Sequence, residues 1–335
     1  MKYPVFTFIL VFTVFFGCKK SNRFTVKTDD IDINIQFIRF DKELGKEDTT
    51  ATAAKVDTFQ NKYPRFFNLY SSQIIKTGVP TGKNFEKYLN RYLTDTVYYQ
   101  VYDTVEHKFS STQKQDLIIR NGFKRYNYFF PERAIPDIYY MISGFNESVV
   151  VAKDILAISL EDYLGVNHPF YQWLSLYEYV RINMYPEKIP TDALWGWLKS
   201  EFPYRAEQQT LLNKMIYEGK IMFVLEQLLP DEPQNRILSY SEPQLKWCET
   251  NEKAMWSYII EYKHLFSKEP LVINKYTDPA PFTQFFGNES SPRAGSYIGY
   301  KIVSAFMKNN KEVTLKQLLD INDGADILGK SGYKP

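Results

Sequence analysis

Two carboxylates stand where carboxylates are expensive. At about 100° per residue, Leu211, Met215, Met222, Leu225 and Leu229 share one helical stripe, and Glu218 sits in the middle of it. A second stripe holds Cys248, Met255, Trp256 and Ile259, with Glu252 among them. An ionised carboxyl on an apolar face is costly unless it is paired or protonated. These acids are therefore either bonded to Arg, Tyr or Trp donors inside the fold, with Arg293 and Arg181 as candidates, or they line a pocket for a ligand or partner. A third acid, Glu178, lies in the run Tyr177-Glu178-Tyr179-Val180-Arg181. His107, His168 and His264 are scattered without ligand spacing, so no metal site and no cofactor is expected.

The elements that must hold these residues are mostly helical. Asn167 is placed to cap a helix through Tyr185, Thr191-Asp192 opens one to Phe202, and a long helix runs from about Glu207 to Leu229 before Pro230. Ser241 with Gln244 forms a capping-box pattern, with Pro243 in the first turn, for a helix reaching Phe266. Pro292 starts another to Met307, and Thr314 to Leu319 begins the last. Gly295 and Gly299 lie four apart on one of these helices and read as a close-packing contact in the core.

Upstream, Ile31, Ile33, Ile35 and Phe37 alternate with polar residues as a half-buried strand does. Residues 43–56 read as a loop and 57–130 as aromatic-rich helices, with Phe85, Tyr88, Leu89 and Tyr92 at helical spacing and a start near Ser111-Thr112. The aromatic and lysine interleaving of Phe123 to Phe130 reads as a core face with solvated lysines. Residues 134–160 read as an antiparallel hairpin, with Gly144 to Glu147 as its turn and Ile155 to Leu160 as its more buried arm. The expectation is α+β: a mainly helical single domain with a small antiparallel sheet.

Composition narrows the function. The chain has 335 residues, 41 Lys+Arg against 39 Asp+Glu, and 17% aromatics. So balanced a charge supplies no field for nucleic acid. Two cysteines exclude a disulfide scaffold. Cys248, on its apolar stripe, reads as a buried structural thiol.

The amino terminus reads as a processing signal. Lys2 precedes the apolar run Val5 to Phe16, which spans roughly 18 Å as a helix, short of the roughly 30 Å hydrocarbon core. Gly17-Cys18 ends it, and Lys19-Lys20 follow. This arrangement resembles the bacterial lipobox, which implies lipidation of Cys18 and cleavage after Gly17; the rival is an ordinary secretory signal with a chance cysteine. The expected organisation is a lipoprotein signal peptide (1–17), a polar lipidated tether (18–30) and one domain (31–335). No acidic surface-export cluster follows Cys18, so the expected location is the cell envelope, membrane-anchored by lipid and facing the periplasm.

Two families share ordered motifs with this chain. The run from Tyr177 to Arg181, then Thr210-Leu211-Leu212 with Glu218-Gly219, then Gly295, Tyr297, Gly299 and Tyr300, is similar to bacterial predicted zinc peptidases. In those a His-Glu-Tyr-x-His helix supplies two zinc ligands and a general base. Here Tyr177 and Arg181 occupy the histidine positions, so the resemblance implies a peptidase-like architecture without its metal site and no enzyme activity. A wider set of motifs resembles the GldB family of gliding motility lipoproteins of Bacteroidota. It comprises Ile35 to Asp41, Ile158 to Gly165, Tyr177 to Arg181, Met215 to Lys220, Gln244 to Glu252 and Lys330 to Pro335. That resemblance implies an envelope lipoprotein needed for gliding, partnered with the membrane and with other gliding and type IX secretion proteins. The alternative is a degenerate peptidase fold that binds a ligand or peptide around Glu178 and Glu218.

Overall fold

The computed structural model describes residues 22–45 and 52–335. Its centre is the Leu211–Leu228 helix, buried on nearly every side, as expected of a helix that is apolar all round. Thr210 caps it, its hydroxyl accepting from the Asn213 N–H at 3.2 Å. The Ala294–Asn309 helix crosses it so closely that a Cβ on Gly299 would stand 1.8 Å from the Met215 carbonyl oxygen. The close approach expected of Gly299 is there, and it is backbone on backbone.

Four strands form one sheet: β1 (Phe37–Arg39), β2 (Asp137–Met141), β3 (Val149–Ala152) and β4 (Ile155–Ser159), in the order β1-β2-β4-β3. The α+β class holds, but the expected antiparallel sheet is mixed. β1 and β4 both run parallel to β2, with Phe37 opposite Ile138 and Ile138 opposite Leu156, and only β3 runs antiparallel, along β4. Burial explains the order. Every β4 residue is buried and so needs neighbours on both sides, whereas β3 is half-buried throughout and suits an edge. The tight turn is Lys153-Asp154, with Asp154 at φ 59°; Gly144 to Glu147 instead belong to a longer link between β2 and β3.

The sheet separates two helical layers. On one face Tyr139 stacks on Phe66 at 4.0 Å, beside a cluster of Phe40, Phe59, Phe67 and Tyr70. On the other, reached by the alternation of side chains, the Tyr140 hydroxyl donates to Asp116 on the Gln113–Phe129 helix at 2.7 Å. The Ile189–Glu201 helix covers the edge, where Gly196 lies close to Val149.

Several local expectations change. The Ile31–Ile35 alternation does not pair; β1 begins at Phe37 because β2 begins at Asp137, whose carboxylate accepts from the Gln36 N–H at 3.1 Å. Helix occupies Phe40–Leu44 and starts again at Thr52, within the expected loop. No continuous helix runs from Asn167 to Tyr185. Pro169–Trp173, capped by His168, and Glu178–Arg181 are short pieces, separated where Ser175 adopts φ 53° and ended ahead of Pro186. The Ser241–Gln244 and Thr314–Gln317 capping boxes both form.

The expected tether is not free along its length. Asn22 donates to Gln227 at 2.7 Å, Arg23 donates to the Met307 carbonyl at 3.0 Å, and Lys124 donates to the Thr28 carbonyl at 3.0 Å. Phe24 inserts edge-on between Phe129 and Phe223, with ring centroids at 6.1 and 5.9 Å. The stretch reads as polar in sequence, yet its one aromatic fastens it to the body. Cys18 and the expected signal peptide lie outside the described residues.

Candidate functional site

Glu218 is buried, and its partners are lysines. Lys199 stands 3.0 Å and Lys214 2.9 Å from Oε1, and both ammonium groups lie over the ring of Tyr217. Burial raises the carboxyl pKa, but the two cations outweigh it and hold the group below its ordinary value. Arg293, one of the expected partners, donates instead to the carbonyls of Leu238 and Ser239 at 2.9 and 2.8 Å. It does face the same cavity of about 240 Å³, with Asp192, Trp195 and Thr277.

Glu252 is half-buried. It accepts from the hydroxyls of Tyr333 at 3.0 Å and Tyr297 at 3.3 Å, with Lys301 at 3.4 Å. Its chemistry is that of a clasp: it ties the carboxyl-terminal segment to the Glu242–Glu261 helix. Cys248 beside it is buried, and burial pushes the thiol up to about 12, which removes it from thiolate chemistry at neutral pH.

Glu178 is exposed on a single helical turn and does not line the Glu218 cavity. Tyr177 precedes that turn, 70% exposed and stacked on Tyr179 at 5.6 Å. Arg181 ends it and points a guanidinium nitrogen at the Val166 carbonyl, 3.4 Å away. A turn of four residues with Tyr177 outside it does not build the i, i+4 face that the peptidase template uses. The three histidines are apart: His107 bonds the Asp103 carbonyl, His168 caps a turn, and His264 bonds the Tyr276 hydroxyl.

A more constructed place lies at the carboxyl ends of the parallel strands, where open sheets with parallel strands commonly form clefts. Glu161, two residues past β4, is fully buried. Its Oε1 accepts from the Ser143 N–H at 2.6 Å, the Ser143 hydroxyl at 2.8 Å and the Phe145 N–H at 3.1 Å. Its Oε2 has no hydrogen-bond partner among the described residues. Burial, reinforced by Asp162, raises Glu161 to about 7; burial raises Asp162 to about 6. Glu161 thereby pins the loop from Ile142 to Phe145, which walls a cavity of about 590 Å³.

This place escapes a motif search, because its residues come from 76–101 and 142–174 and share no local pattern. One signal was readable: two acids, Glu161-Asp162, directly follow the apolar run Ile155 to Leu160.

A model of the family described as "Gliding motility protein GldB" matches residues 21–335, nearly the whole chain, so the chain belongs to that family. No curated protein and no solved structure matches it.

Proposed function

We propose that this family member works as a non-catalytic lipoprotein of the cell envelope, held at a membrane through acyl chains on Cys18 and acting in gliding with other envelope proteins of the gliding and type IX secretion apparatus. The observation that carries the reading is the family match over residues 21–335. It is supported at the amino terminus by Cys18 after an apolar run too short to span. Among the described residues no helix is long and apolar enough to cross a membrane. Two or more acyl chains make attachment effectively permanent.

The docked segment gives this anchor a geometry. Three residues, and so four chain steps, separate Cys18 from Asn22, the first described residue, which bonds the body. Fully extended they reach about 14 Å. The face around Gln227, Met307 and Phe129 is then held toward the membrane, and the opposite side is presented to partners in the periplasm.

The test is replacement of the chromosomal copy. Cys18→Ala is expected to abolish incorporation of radiolabelled palmitate, release the protein from membranes and stop gliding, while Glu178→Ala leaves all three unchanged. Palmitate incorporation unchanged by Cys18→Ala would remove the anchor from the account.

A further inference from the structure

The cavity beside Glu161 has the makings of a ligand site. Its volume of about 590 Å³ lies within the usual range of small-ligand clefts. Tyr92, Tyr98, Val101, Ile142, Phe145 and Phe170 give it apolar and aromatic walls. At its rim three more apolar side chains stand in solvent: Trp173 is 70% exposed, Val97 60% and Tyr88 49%. A rim so apolar is uncommon on a surface with nothing to meet.

Charge at the rim is lopsided. Lys76 and Arg91 both line the cavity, both are exposed, and neither makes an ion pair among the described residues. The one acid there, Asp95, has an oxygen occupied by the Val97 N–H at 2.8 Å as the cap of the Thr96–Lys108 helix. The rim therefore carries two cations, neither in an ion pair among the described residues, against one carboxylate, above an apolar interior.

The backbone around the cavity is also held in costly conformations. Lys76 and Phe145, which line it, lie at φ 55° and 61°, and Ser175, directly after the lining residue Leu174, at 53°. Left-handed conformations outside glycine persist only where the surroundings enforce them, and they gather at ligand clamps. For Phe145 the enforcing contact is a hydrogen bond: its N–H donates to the buried Glu161 carboxyl at 3.1 Å.

We propose that this cavity binds a single-chain fatty acid, with the aliphatic tail against Val101, Ile142, Phe145 and Phe170 and the carboxylate at Lys76 and Arg91. The walls select the tail, because they present little that a polar solute could use. The two rim cations select the anionic head. The site is independent of the Cys18 anchor and adds a ligand to a protein otherwise read as a binding component.

The probe is a diazirine-bearing fatty acid, applied to the full chain reconstituted in nanodiscs and mapped by mass spectrometry after irradiation. Adducts are expected on peptides containing Phe145 or Phe170, saturable, and displaced by dodecanoate at least tenfold more effectively than by dodecanol. The double variant Lys76→Ala/Arg91→Ala alters only exposed side chains and so leaves folding intact. It is expected to weaken displacement by dodecanoate about tenfold and to leave that by dodecanol unchanged. Adducts scattered over the surface without saturation would overturn the site. Equal displacement by dodecanoate and dodecanol, or no effect of the double variant, would overturn the assignment of the head.

Discussion

Replacing Gly299 by alanine probes the closest backbone approach met at any described glycine. The new Cβ would stand 1.8 Å from the Met215 carbonyl oxygen and 2.4 Å from its carbon. Gly219 meets the same crossing from the other side, its Cβ position 2.3 Å from the Gly299 carbonyl carbon. Real Cβ atoms do not come within 3.0 Å of such neighbours, so the Leu211–Leu228 and Ala294–Asn309 helices must part by more than an ångström. No side-chain rotation relieves it, because both obstacles are backbone. Overpacking of this kind costs about 3 kcal/mol or more, against which the better helix propensity of alanine returns at most ~1.

The control is Gly329→Ala on the Gly324–Ser331 helix, where the added Cβ has nothing within 4 Å. It is expected to gain roughly 0.5–1 kcal/mol. Urea unfolding followed by circular dichroism should separate the two variants by at least ~3 kcal/mol, or about 6 °C in Tm. If Gly299→Ala lies within ~1 kcal/mol of Gly329→Ala, the backbone-on-backbone crossing is not what holds these helices together.

Three further outcomes are open to direct measurement. Lys199→Met or Lys214→Met alone leaves Glu218 one cation and should cost about 1 kcal/mol or less. The double change strands a buried carboxylate and should cost ~3–5 kcal/mol, a non-additivity that chemical unfolding of the cycle reads directly. Glu161, raised from 4.5 to about 7, holds its proton in the folded state longer than in the unfolded one. Its contribution is complete below about pH 4.5 and is lost as pH rises through about 7. Glu161→Gln should therefore flatten the stability profile over that window and be more stable than the wild type at pH 8; parallel profiles would refute the burial argument. Phe24→Ala removes the wedge between Phe129 and Phe223 and should open the 22–30 segment to protease with little change in global unfolding.

Features that rest on short-range pattern were legible in the sequence. Ser241 with Gln244 reads as a capping box and Thr314 as the start of the last long pattern, and both helices begin there, the second also with a box, to Gln317, because a few neighbouring residues decide them. Glu218 stood out on its stripe, and one of its partners, Lys214, lies four residues before it on the same helix. Its other partner, Lys199, belongs to a separate helix and comes into reach only through packing. Strand direction was lost for a similar reason. A turn-like Gly144 to Glu147 invites a hairpin, and nothing local says that the fully buried β4 must lie between β2 and β3. The reading of Asn167 as the cap of a helix through Tyr185 carried the Tyr177–Arg181 motif with it, while Pro169, Ser175 and Pro186 broke the backbone around it. The fatty-acid cavity had no sequence signature beyond the paired acids at the end of β4.

The anchor at Cys18 is the claim on which the proposed role depends, and intact-mass analysis of the protein extracted from its own membranes tests it most directly. The account predicts a chain beginning at Cys18 with the added mass of a diacylglyceryl group and an amino-terminal acyl chain, and no such species from Cys18→Ala. A mature chain with an unmodified Cys18, or one cleaved at another residue, would contradict it.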